Sequence, residues 1–258
     1  MKLAVIQTKP ILRQIERNIS QIPKVSADIV VLPEMALTGY CFGSPQIARK
    51  YANQGLEFAQ EYSKNKLLLM GFLEENKSML YNSIGVFEDG KLVHIHRKHH
   101  LYELDEFWAK ESSGFSFFDS KFGRIGLGIC MDLNPYKFTA PFEKYEFATF
   151  CKENECKLIV CCNNWLRSSR EEIDLETVFY WYLRLKPLWG QDITVAMCNR
   201  VGIEEHPKDL QHVTAQTEFA GSSAIFNLKN RPFEGYQIAS ATKEQVLQVN
   251  FIEENLFS

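Results

Sequence analysis

Apolar residues fall along the chain in short blocks of four to eight, broken by polar stretches. The blocks cover residues 3–6, 29–32, 67–72, 83–87, 92–96, 125–129, 158–162, 193–197, 223–226 and 246–251. That length predicts strands. The sequence EDGK at 88–91 carries hairpin chemistry between the fourth and fifth blocks. Four longer stretches, 11–22, 45–64, 141–155 and 171–188, read as helices. In the third, Phe142, Tyr145, Ala148 and Cys151 share one side, while Glu143, Lys144, Glu146 and Lys152 face solvent. Strand and helix alternate, which predicts a layered α/β fold, and the hairpin makes the sheets mixed. Ten strands are many for one open sheet; two sheets packed face to face, with helices outside, would bury them all.

Composition narrows the picture. A chain of 258 residues suits one domain, 1–258, and no Gly/Ser/Pro-rich linker or repeat divides it. The net charge of -3 leaves no basic footprint for nucleic acid and no polybasic patch for a membrane. MKLAVIQTKP is too short in its apolar run for a signal peptide, and no stretch approaches the roughly 18 apolar residues of a membrane span. Seven cysteines without a CxxC pair predict buried free thiols in a reducing, cytoplasmic-type compartment.

Ligands in open α/β sheets bind beyond the carboxyl ends of strands, so reactive side chains there carry the most information. Residues 28–32 run into Pro33 and Glu34, followed by Met35, Ala36 and Leu37. A carboxyl in that apolar setting has its pKa raised toward the range of a general base. Residues 92–96 run into Arg97 and Lys98, whose ammonium can stabilise an oxyanion. The glycine-spaced run RIGLGI ends on Cys130. The turn after it is expected to open a helix near Asn134–Pro135 or at Pro141, with backbone N–H groups facing the thiol. Glu34, Lys98 and Cys130 thus offer base, electrophilic stabiliser and nucleophile. Other readings compete. His94, His96, His99 and His100 crowd together, and His94 and His96 share a strand face, so a metal site or a Cys–His hydrolase is a rival; no acidic or cysteine ligand sits at a fitting spacing. A binding module without catalysis is a further rival, which the intact Glu34, Lys98 and Cys130 oppose.

Glu34 in LPEMALTGY, Lys98 in HRKHHLY and Cys130 in GICMDL resemble the Glu-Lys-Cys triad of the nitrilase, or carbon–nitrogen hydrolase, superfamily, and the resemblance runs from residue 1 to about 251. It implies a single-domain αββα sandwich of two mixed sheets with outer helices. It also implies a thioester at Cys130, with Glu34 as base, an oxyanion held by Lys98 and the Met131 N–H, and no metal or other cofactor. A second acid often follows the lysine in that superfamily; Asp105 and Glu106 are the candidates, with Glu103 behind them.

A narrower resemblance is carried by ICMDLNPYKFTAPFEKYEFATFC, KLIVCCNNWL, NRVGIEE at 199–205 and EFAGSSAIF at 218–226. These are similar to the protein N-terminal amidases. That branch implies hydrolysis of the side-chain amide of N-terminal Asn or Gln in peptides or proteins, by a cytoplasmic monomer or homodimer. Such a pocket must hold an α-ammonium, for which Asp132, Asp105 and Glu204 are candidates; Tyr40, Trp108 and Trp165 are candidate walls. An ω-amidase or small-amide hydrolase of the same superfamily would instead need an arginine for a substrate carboxylate, from Arg97, Arg124 or Arg167.

Overall fold

The computed structural model describes residues 1–168, 171–208 and 216–250. Two six-stranded mixed sheets form the centre of the fold. The first contains β1 (Lys2–Gln7), β2 (Ile29–Leu32), β3 (Leu67–Asn76), β4 (Met79–Glu88), β5 (Lys91–Arg97) and β14 (Gln245–Asn250), in the order β14-β1-β2-β3-β4-β5. The second contains β6 (Ser116–Ser120), β7 (Gly123–Ile129), β8 (Leu158–Asn163), β9 (Thr194–Asn199), β12 (Ala224–Asn227) and β13 (Gln237–Ile238), in the order β13-β12-β9-β8-β7-β6. Each sheet has three parallel strands at its centre, β1-β2-β3 and β7-β8-β9, flanked by antiparallel partners. A separate hairpin joins β10 (Val201–Glu205) to β11 (Gln216–Ala220).

Alternation along the strands builds the layers. Leu3, Val5, Ile29 and Val31 point into the space between the sheets, where Ile125, Leu127, Leu158 and Val160 meet them. The alternate residues Ala4, Ile6, Val30 and Leu32 point outward onto α1 (Ile15–Gln21) and α3 (Leu56–Tyr62). On the second sheet Ile159 and Cys161 point outward onto α4 (Glu146–Glu153) and α5 (Leu175–Arg184). Both faces of each sheet are therefore covered, as the continuous apolar runs require. This is the expected αββα sandwich.

Several boundaries differ from expectation, each for a local reason. The stretch 45–64 splits into α2 (Pro45–Arg49) and α3, because Asn53 and Gly55 take left-handed φ angles of 59° and 82°. The stretch 11–22 becomes helical only at Ile15, since the Asn18 side chain bonds the N–H and carbonyl of Ile11, each at 2.8 Å. The stretch 171–188 narrows to α5, whose N-terminus is capped by Asp174 accepting from the Thr177 N–H at 3.0 Å. In 141–155 the helix begins only at Glu146; Tyr145 is left-handed and Phe142 is 41% exposed, so the buried side is Phe147, Ala148 and Cys151. Strand β4 starts four residues early, at Met79. Its turn uses Lys77 and Ser78 with φ of 47° and 66°, a conformation normally announced by Asn or Gly. Strands β6, β10, β11 and β13 were not expected, being short or rich in polar residues. Residue 251 of the last expected strand lies outside the described residues.

The glycine spacing before Cys130 has a packing cause. Gly126 and Gly128 face α4, and a Cβ at Gly126 would lie 2.6 Å from the Cys151 sulfur and 3.2 Å from that of Cys156. The missing side chains let α4 sit close to β7. Gly126→Ala is expected to destabilise by about 1–3 kcal/mol through overpacking, read as a lower urea midpoint. An unchanged midpoint would show that α4 has room to move away from the sheet.

Candidate active site

Strands β2, β5, β7 and β8 deliver their ends to one region. Glu34 follows β2, Lys98 follows β5 and Cys130 follows β7. Lys98 and Glu34 have no exposed surface, and Lys98 Nζ lies 2.8 Å from Glu34 Oε1. Asp105, equally buried, lies 2.6 Å away on the other side of the ammonium. Asn82 on β4 joins the two carboxylates, its Nδ2 donating to Glu34 Oε1 at 2.6 Å and to Asp105 Oδ1 at 3.0 Å. Glu34 Oε2 accepts the Asn164 N–H at 2.7 Å, and Asp105 Oδ2 also accepts the Tyr102 N–H at 3.0 Å. Of the second-acid candidates, Asp105 is thus brought to the lysine. Glu106 is not; it is half exposed and pairs with Lys137 at 3.3 Å. Glu103 lines the cavity above the site.

The backbone at the two key turns is constrained. A Cβ at Gly71 of β3 would lie 2.4 Å from the Cα of Glu34, so glycine lets the Glu34 turn pack against β3. Cys130 has a φ of 43°, a left-handed conformation for a non-glycine residue, and the Asn163 Oδ1 holds its N–H at 3.0 Å. A 3-10 helix begins at Cys130 itself, over Cys130–Leu133, earlier than expected, and the expected starts after Pro135 and at Pro141 open two more short 3-10 helices, Tyr136–Phe138 and Phe142–Lys144. Met131, second in that turn, has an N–H without an intrahelical partner by position.

Charges follow from this packing. Burial raises the Glu34 carboxyl above its ordinary value, against the pull of Lys98. Burial opposes the charge on Lys98, but Asp105 and Glu34 outweigh it and hold the ammonium protonated. Burial and then Glu34 push the Cys130 thiol well up, with Lys98 and the Asn164 N–H opposing. The resting sulfur is therefore a thiol beside a carboxyl group that burial has made more basic.

A cavity of about 570 Å³ opens over Cys130. Tyr40, Met131 and Trp165 line it as expected, together with Asn134, Asn164 and Tyr180, which were not expected. Its charged lining residues are Glu103 and Glu176, and no lysine or arginine lines it among the described residues. The other candidates lie elsewhere. Trp108 packs edge-on against Phe42, 5.9 Å between ring centres, within an apolar cluster. Glu204 is buried behind Tyr40, paired to Arg200 at 2.6 Å and accepting the Tyr40 and Cys41 N–H groups. Asp132 accepts the N–H groups of Ile129, His99 and His100 at 2.8–2.9 Å, and His96 Nε2 lies 3.1 Å away. Charge alone nominated these two as ammonium ligands; the backbone uses them instead. Arg97 is paired to Glu74, Arg124 to Asp119 and Arg167 to Glu218.

The histidines are also committed. His94 and His96 meet Ser116 at 3.2 Å and 3.0 Å, His99 meets the Ser112 carbonyl and His100 the Asn134 carbonyl, each at 2.9 Å. Among the described residues no group of three or more His, Cys, Asp or Glu is arranged to hold a metal ion. Of the residues missed from the sequence, Asn82 and Asn163 each carried a signal, a polar side chain within or ending an apolar strand.

The carbon–nitrogen hydrolase family model matches residues 2–135. The protein N-terminal amidase of Schizosaccharomyces pombe is 33% identical, over 88% of this chain and 91% of that protein. That of Saccharomyces cerevisiae is 32% identical over 66% of this chain and 46% of its own length, so the match spans about half of that relative. A crystal structure of an N-terminal amidase with an Asn-Glu-Ala peptide superposes with a TM-score of 0.80 at 20% identity, covering 97% of this chain and 99% of that one.

The placement of Asp132 yields a test. Asp132→Asn puts an amide nitrogen among donors and removes the charge facing His96. The expected loss of stability is on the order of 3 kcal/mol in urea unfolding. A variant as stable as the parent would show that the carboxylate does not brace the two loops it joins.

Proposed function

The chain belongs to the carbon–nitrogen hydrolase family, and from that premise we propose that it hydrolyses the side-chain amide of an N-terminal Asn or Gln, in a peptide or protein, to Asp or Glu with release of ammonia. The observation that carries this reading is the charge of the cavity. Glu103 and Glu176 line it and no cationic side chain does, among the described residues. The Lys98 ammonium below is spent on two carboxylates. Such a cavity favours a substrate bearing an ammonium. It disfavours the free carboxylate of an ω-amidase substrate, which needs a fixed cation.

The residues then have definite tasks. Glu34 accepts the Cys130 thiol proton as the sulfur attacks the amide carbon. The carbonyl electron pair moves to oxygen, where the third Lys98 N–H and the Met131 N–H stabilise it. As the tetrahedral centre collapses, the C–N bond breaks and Glu34 returns its proton to the leaving nitrogen. Ammonia departs and a thioester remains. Water, losing a proton to Glu34, adds to the thioester; collapse expels the Cys130 sulfur, which Glu34 reprotonates. Asp105 keeps Lys98 charged while Glu34 cycles between its two states. Seven cysteines, none in a disulfide, suit a reducing, cytoplasmic compartment.

Three substrates test the function: an Asn-initiated peptide, its N-acetylated form and free glutamine, with ammonia as the readout. The peptide alone should turn over, and Cys130→Ala should abolish that turnover. Equal turnover of the acetylated peptide would remove the ammonium site, and turnover of free glutamine alone would move the chain to small-amide hydrolysis. The acid limb of kcat/KM is a second test. Glu34 must be ionised to act as base, and burial raises its pKa above the ordinary 4.5. Activity should therefore fall on acidification at a pH above 4.5. A limb at or below that value would assign the base elsewhere.

A further inference from the structure

Three asparagines stand at the ends of β8 and β9, and two are fully committed. Asn163 Oδ1 accepts the Cys130 N–H at 3.0 Å. Asn199 Oδ1 accepts the Trp165 N–H at 2.8 Å, and its Nδ2 donates to the Gly221 carbonyl at 2.9 Å. Asn164 differs. Its backbone N–H is fixed on Glu34 Oε2 at 2.7 Å. Its side chain is 2% exposed and lines the cavity, yet neither Oδ1 nor Nδ2 has a partner among the described residues. A buried carboxamide left without partners is costly, and this one belongs to a residue in the wall of an open cavity.

We propose that Asn164 reads the main chain of the substrate's N-terminal residue: Oδ1 accepts from the α-ammonium and Nδ2 donates to the carbonyl of the first peptide bond. The inference rests on the N-terminal amidase reading. In that reading the reacting amide already has its partners, Lys98 and Met131 for oxygen and Glu34 for nitrogen. The polar groups left on the same residue are a donor, the ammonium, and an acceptor, the carbonyl, separated by one carbon. A carboxamide offers the complementary pair. Its neutrality matters as well. A carboxylate in that place would add a second anion beside Cys130, whose thiol Glu34 already pushes up. Glu103 and Glu176, both exposed, supply negative charge to the same wall.

Asn164→Leu keeps the size and removes both polar atoms. For an Asn-initiated peptide, KM should rise about 10- to 100-fold, with kcat changed by less than about threefold. Alkylation of Cys130 by iodoacetamide, which has no ammonium and no peptide bond, should keep the parent rate. With a succinamoyl peptide, which lacks only the α-amino group, the penalty of Asn164→Leu should shrink to about tenfold or less. Asn164→Ser, too short to span both partners, should show the same KM effect and serves if the leucine variant does not fold. A fall in kcat at constant KM, or slower alkylation, would overturn the inference and make Asn164 a positioning residue for Glu34 and Cys130. An unchanged KM with active parent enzyme would overturn this inference alone. A parent protein that leaves the Asn peptide untouched overturns it together with the proposed function.

Discussion

Everything at the site depends on one buried set of charges. Lys98 lies between Glu34 and Asp105 with no exposed surface on any of the three. Removing one member would strand a charge in a low-dielectric interior, at a cost of several kcal/mol. The set is tolerable because nearly every oxygen and hydrogen has a partner: Asn82 bridges the carboxylates, and the N–H groups of Asn164 and Tyr102 complete them. Four segments of chain must therefore converge for any one of these ions to be buried. Folding of the surrounding loops and assembly of the site are the same event.

Two further buried carboxylates carry that constraint outward. Asp132 accepts N–H groups from Ile129, before Cys130, and from His99 and His100, after Lys98. One side chain thus fixes the loop of Cys130 against the loop of Lys98. Glu204, neutralised by Arg200, accepts the N–H groups of Tyr40 and Cys41 and ties the Glu34 loop to the β10–β11 hairpin. Both carboxylates are held below the ordinary value: burial opposes this, but His96 prevails for Asp132 and Arg200 for Glu204. They stay ionised as backbone acceptors, and neither lines the cavity.

The fold and the convergence of Glu34, Lys98 and Cys130 were legible in the sequence for one reason: continuous apolar runs mark strands covered on both faces, and reactive side chains at their ends stand out. The cavity wall was less legible. Asn164 adjoins Asn163 in the same strand-end sequence, and only the hydrogen-bond pattern distinguishes a committed asparagine from an unpartnered one. Asp132 and Glu204 misled for the converse reason, because charge in a sequence does not reveal whether it faces a ligand or a row of backbone N–H groups. Hairpin β3–β4 extended past its expected end since Lys77 and Ser78 adopt left-handed angles without the residues that advertise them.

The buried charges and the cavity wall divide along the chain. The family match ends at residue 135, and Glu34, Lys98, Asp105 and Cys130 all precede that point. Much of the wall comes later: Phe138 precedes α4, Asn164 and Trp165 follow β8, and Glu176 and Tyr180 stand on α5. A change in those segments can alter which chain end is admitted without disturbing the buried charges, with one exception. Asn164 belongs to both sets, since its N–H holds Glu34 while its carboxamide lines the cavity. Its two roles fall on different atoms, the backbone N–H toward Glu34 and the carboxamide toward the cavity, so only a shift of the backbone at this residue would move wall and carboxylate together.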